Sequence, residues 1–134
     1  MRHLPSPRMS RLAASALAAL ALIGSSAAFA HAKLVSSTPA ADAKVSNVKT
    51  LSLNFSEAVV EKLSGVEVVM TGMPGMANHG AMKVSGFTTK LGADGKTLTL
   101  TLPRALPAGS YDLKWHAVTA DTHRIEGSYS FSVK

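Results

Sequence analysis

Four methionines and a histidine fall within thirteen residues, in the stretch MTGMPGMANHGAM that holds Met70, Met73, Met76, His79 and Met82. A three-residue beat of methionine could line one face of a helix. Gly72, Pro74, Gly75 and Gly80 argue against a helix here, so the stretch reads as an irregular loop. Methionine often fills gaps in cores, but thioethers gathered in a loop have a second use. Thioether sulfur is a soft ligand, and among biological metals it favours Cu(I).

A second set of donors is spread along the chain. Arg2, Arg8 and Arg11 precede an apolar run from Leu12 to Ile23, and Ala28-Phe29-Ala30 fits a small-residue cleavage pattern. Residues 1–30 therefore read as a secretory signal peptide, the apolar run being too short for a membrane span. Cleavage would leave His31 first, with a free α-amine beside its imidazole, and the two together can chelate one metal ion. An unperturbed α-amine has a pKa of ~7.7–8.0, so a metal can displace its proton near neutrality. Nitrogen ligands in a square-planar array suit Cu(II). Asp121 and His123 offer further donors. On an extended backbone an i, i+2 pair points to one side, ~6.5–7 Å apart along the chain, with room for one ion between. His116, beside Trp115 on an expected strand, reads as a surface or packing residue, with a spare ligand as the alternative, and Trp115 reads as core.

The composition narrows the function classes. Removing thirty of the 134 residues leaves 104 with eleven basic and eight acidic side chains, a net charge of +3. The basic residues are scattered singly and there is one Trp, which makes nucleic acid a poor partner. There is no Cys, so the expectation includes neither a disulfide nor a lipid anchor after cleavage. A domain of this size can bury a sufficient core without disulfides, and a soft-metal site built without Cys must rely on Met.

The elements that would position these donors are short strands. Lys49 to Phe55 and TLTLTL from Thr97 to Leu102 alternate apolar and polar residues. Lys33–Thr38, Gly65–Met70, Lys83–Leu91, Ser110–Val118 and Gly127–Val133 complete the set, and Ser56–Ser64 is open between strand and loop. Gly92-Ala-Asp-Gly95 is a hairpin-type turn, and Ala120–Glu126 reads as a loop. Seven or so strands at roughly ten-residue spacing indicate an all-β antiparallel sandwich or barrel, in one domain from residue 31 to 134.

The post-signal start HAKLVSSTPA, the strand and turn LSLNFSEAV, the methionine loop and the ending YDLKWHAVTADTHRIEGSYSFSV together resemble the CopC/PcoC family of bacterial periplasmic copper-resistance proteins. The resemblance covers essentially all of residues 31–134. It implies a cupredoxin-like Greek-key fold and two copper sites at opposite ends. It implies Cu(II) at His31, Asp121 and His123, with Glu57 after Asn-Phe-Ser associated with that site, and Cu(I) on a subset of Met70, Met73, Met76, His79 and Met82. The expected function is copper carriage in the periplasm for resistance and homeostasis, by binding rather than turnover, alongside other periplasmic or membrane copper-handling proteins. Where relatives often have Arg after the Trp, this chain has His116. The rival is a copper-dependent oxidase or monooxygenase with a histidine brace. Against it stand the carboxylate of Asp121, which favours Cu(II), and six mature-chain aromatics mostly at strand positions expected to pack inward. A plain structural sandwich, with the methionines as packing, would bind no copper.

Overall fold

In the computed structural model, residues 32–75 and 80–134 are described, and nine strands pack as two sheets. In chain order they are β1 (Leu34–Thr38), β2 (Lys44–Val45), β3 (Thr50–Phe55), β4 (Gly65–Gly72), β5 (Met82–Lys83), β6 (Thr88–Leu91), β7 (Thr97–Thr101), β8 (Gly109–Val118) and β9 (Arg124–Val133). One sheet runs β1-β3-β7-β6 and the other β2-β9-β8-β4-β5. All pairs are antiparallel except β2 with β9. The all-β sandwich expected from strand spacing is what forms.

Period-two alternation places the core. Leu51, Leu53 and Phe55 on β3 and Leu98 and Leu100 on β7 face Val68 on β4, Tyr111, Leu113 and Trp115 on β8, and Phe131 on β9. Successive strand residues point to opposite faces, so the intervening Ser, Thr and Lys side chains turn outward. Phe55 and Trp115 meet edge to face with centroids 5.2 Å apart, and Tyr111 stacks on Phe131 at 5.4 Å. The expectation that the aromatics pack inward holds for these four, while Phe87 and Tyr129 lie partly buried against the same core.

Several elements differ from the sequence expectation. Among the described residues there are nine strands rather than seven, because β2 is a two-residue parallel edge with no alternation to announce it, and because Lys83–Leu91 is broken in two. β5 belongs to the sheet of β4, the chain crosses at residues 84–87, and β6 joins the other sheet beside β7. Ser56–Ser64 is neither strand nor plain loop: Val59 bridges to Thr119 and residues 61–63 form one 3₁₀ turn. β9 starts at Arg124, three residues earlier than expected, since its pairing with β8 runs on to Val118↔Arg124.

Two glycines permit the close packing of β8. A Cβ on Gly109 would stand 2.5 Å from the carbonyl oxygen of Gly72, where the register of β4 on β8 slips between Met70 and Gly72. A Cβ on Gly127 would stand 2.7 Å from the Trp115 ring, which lies across its cross-strand neighbour.

Candidate functional site

The long hairpin β8–β9 turns through Thr119–His123, and that turn is built by side-chain chemistry. Thr122 N–H donates to Thr119 O at 2.9 Å, and Thr119 N–H donates to His123 O at 2.9 Å. Thr122 sits in the left-handed region at φ 71°. The Thr119 hydroxyl, almost fully buried, donates to Asp121 Oδ1. Asp and Thr side chains commonly close turns by such local bonds.

This geometry corrects the expectation of an extended backbone at Asp121 and His123. The backbone folds back at Thr122, and His123 Nδ1 lies 2.7 Å from Asp121 Oδ2 in a direct contact. The carboxylate is held well below its ordinary range, at about 2, chiefly by the Thr119 hydroxyl and then by His123. Asp121 is thus ionised at any pH where a histidine is neutral. It holds the ring of His123 through Nδ1. A carboxylate on the other nitrogen of a ligating imidazole sets its tautomer and raises its basicity.

The same end of the sandwich receives two other segments. Lys33 N–H donates to Ser56 Oγ at 2.9 Å and Ser56 N–H donates back to Lys33 O at 2.9 Å. The start of the described chain is therefore clamped to the end of β3, next to the exposed Glu57. Val59 bridges to Thr119 and Val60 N–H donates to Val118 O at 2.7 Å, tying the 56–60 segment to the base of the turn. Ser64 Oγ completes the brace, accepting from Val118 N–H at 3.1 Å and donating to Val60 O at 2.8 Å. Thr119, Ser56 and Ser64 were not singled out in the sequence. Only the Thr two residues before Asp121 carried a signal, that of a turn closed by its own side chains. His31 itself lies outside the described residues. Among the described residues, no three His, Asp or Glu side chains gather to hold a metal.

Met70, Met73 and Met82 sit at the other end. β4 runs antiparallel to β8 from Gly65↔His116 to Gly72↔Ser110, so the end of β4 lies beside the start of β8 while Thr119–His123 lies past its end. Met70 is on the inner face of β4, 8 % exposed and part of the core, with Met82 directly opposite on β5 at 50 % exposure. Met73 is partly buried against the core. The loop thioethers are therefore not all free of packing: Met70 is core, as alternation along β4 dictates once the strand runs on to Gly72. Met76 and His79 lie outside the described residues. His116 is half-buried on the outer face of β8, its ring lying over Gly65 and its cross-strand neighbour being Glu126. That position lies two residue pairs below the Val118↔Arg124 end of the hairpin.

Comparison with known proteins matches this arrangement to a described group. Copper resistance protein C of Escherichia coli is 45 % identical over 107 residues, covering 80 % of this chain and 84 % of that one. Copper resistance protein C of Xanthomonas campestris pv. juglandis is 44 % identical over 123 residues, covering 92 % and 95 %. The crystal structure of PcoC, described as a methionine-rich copper resistance protein from Escherichia coli, superposes with a TM-score of 0.70 at 43 % identity, over 78 % of this chain and all of that one. The profile of the CopC domain matches residues 34–134. With its sandwich, its braced Asp121–His123 turn and its methionine-bearing β4 end, the chain belongs to the CopC domain family.

Proposed function

We propose that the protein is a periplasmic copper carrier acting in copper resistance and homeostasis, with separate sites for Cu(II) and Cu(I). The observation that carries this is the Asp121–His123 contact at 2.7 Å, at the end where the start of the chain is clamped to Ser56. An imidazole pre-oriented by an ionised carboxylate is half a nitrogen site. His31, two residues before Lys33, supplies the amine and second imidazole that complete it. Both oxygens of Asp121 already accept bonds, from Thr119 and His123, so its first role is to orient His123, and its charge favours Cu(II) over Cu(I). Glu57, exposed beside Ser56, adds a second carboxylate near the same segment. Met73, Met76, His79 and Met82 provide the soft donors, and Met70, held in the core at the far end of the sandwich, anchors the strand that leads to them. The ligand sets are those of storage and transfer, so the reading is binding without turnover. Secretion with loss of residues 1–30 exposes the amine of His31.

The test is copper stoichiometry on protein beginning at His31, with Cu(II) and Cu(I) titrated separately, beside a sample carrying one extra residue ahead of His31. One equivalent of each ion, with only Cu(II) weakened by the extension, is the expected result. Cu(II) binding indifferent to the extension removes the amine of His31 from the site. Absence of Cu(I) binding returns the methionines to packing.

A further inference from the structure

Beside the methionine end lies a groove that shares Met70 and Met82 with the candidate Cu(I) donors. Its volume is about 410 Å³, within the ~300–1,000 Å³ of sites that enclose a ligand. Met70 and Met82 form one wall, Leu102 and Leu106 the other, and Tyr111 is among the residues that line it. The second wall is pre-formed: Leu102 N–H donates to Lys49 O at 2.8 Å and Leu106 N–H donates to Val48 O at 2.9 Å. Tyr111 Oη donates to Pro107 O at 2.5 Å, so the phenol proton is already committed. The lining therefore recognises by shape and apolar contact.

The charge on the groove is one-sided. Arg104 and Lys83 are its charged residues, and no carboxylate lines it. Lys83 reaches Glu67 at 3.2 Å, both side chains being well exposed, and such surface pairs are worth ~0–1 kcal/mol. Arg104 is exposed and has no ion pair among the described residues. An occupant that complements these walls and this rim has apolar side chains flanked by carboxylates.

We propose that this groove docks an extended acidic segment of a partner protein, apolar at its centre, and so holds that partner against the methionine loop. The docking itself stands on the groove; its use in passing Cu(I) rests on the function proposed above. Because Met82 belongs both to the groove wall and to the candidate Cu(I) donors, a docked segment lies next to the thioethers that would release the ion. Pre-formed walls lower the cost of ordering on binding, and rim charge steers encounter more than it adds affinity.

The probe is a fluorescein-labelled peptide with a Leu-Met-Leu centre and two Glu on each side, titrated into metal-free protein from residue 31 onward and followed by anisotropy. Amide shifts in ¹⁵N-labelled protein locate it. Expected are saturable binding, shifts confined to residues 82–85 and 102–111, at least tenfold weaker binding in Arg104→Glu, and unchanged binding in Lys90→Glu on β6, which makes the same charge change away from the groove. Ala105→Trp, which fills the groove, should abolish binding while the amide spectrum stays folded. Equal loss in Arg104→Glu and Lys90→Glu would reduce the effect to net charge and overturn the proposal. Shifts elsewhere, no binding at millimolar peptide, or displacement of the peptide by self-association of the protein would overturn it too. Cu(I) affinity, measured separately by chelator competition, should be the same in Arg104→Glu as in the unchanged protein. Failure of any Cu(I) binding would sink the carrier reading and leave the anisotropy result to judge the groove.

Discussion

Asp121 carries the clearest residue-scale consequence. Its carboxyl is depressed to about 2 by the Thr119 hydroxyl and His123, so the turn's stabilisation by this group is fully present above the ordinary carboxylate range of ~3.9 and is lost as pH falls through about 2. Loss of Cu(II) between pH 7 and pH 5 should therefore follow protonation of imidazole and amine, with Asp121 still ionised; carbon-detected NMR of the Asp121 carboxyl during a copper-free pH titration checks this. Asp121→Ala should weaken Cu(II) binding ~10–100-fold, the usual effect of removing a carboxylate behind a ligating histidine, and leave Cu(I) within twofold. Equal loss of both ions would mean that the substitution had damaged the fold. The methionines separate by burial. Met70→Ala should cost ~2–5 kcal/mol of stability, as for buried core truncations. Met82→Ala, half exposed, should stay within ~0.5 kcal/mol while weakening Cu(I). Urea unfolding beside Cu(I) chelator competition distinguishes the two.

At the scale of elements, the hairpin β8–β9 is the frame that carries the Thr119–His123 turn at one end and pairs with the end of β4 at the other. Its ten-residue strands pair without interruption from Gly109↔Val133 to Val118↔Arg124. Trp115 packs tightly over Gly127 and meets Phe55 edge to face in the core. Gly127→Ala should displace the indole and destabilise by ~1–3 kcal/mol, the range for overpacking, with a shift in Trp115 fluorescence in the folded state. An unchanged urea midpoint and spectrum would show that the ring has room to give. The alternation of β3, β7 and β8 could be read from sequence because each buries one face. β2 and β5 could not, being two-residue strands held by neighbours rather than by their own pattern. The crossing at 84–87 was hidden for a related reason: Val84 and Phe87 are apolar on both sides of the break and imitate a continuous strand.

For the whole molecule, the length of β8 sets the distance between the two ends. Nine steps from Ser110 to Thr119 at ~3.3 Å each separate them by ~30 Å, across a packed core with no path for an ion. Movement of copper between a Cu(I) site at one end and a Cu(II) site at the other should therefore occur between molecules. Oxidising Cu(I)-loaded protein in air and following the Cu(II) absorption should give an initial rate that rises with the square of protein concentration. A first-order rate constant independent of protein concentration would count against direct transfer between molecules.

The candidate donors could be named without a structure, because thioether, imidazole, amine and carboxylate chemistry belongs to residue types. So was the all-β class, because period-two burial is written along each long strand. Family membership rested on the same residues, and the CopC domain match over 34–134 bears it out. Tertiary structure alone decided how the donors meet. The left-handed Thr122 and the buried hydroxyl of Thr119 bring Asp121 onto His123, and the Lys33–Ser56 clamp carries the start of the chain to the same end. Burial of Met70 was likewise decided by the pairing of β4 with β8 and β5. These are contacts between segments distant in sequence, or turns set by a single dihedral angle, and neither leaves a period in the chain to read.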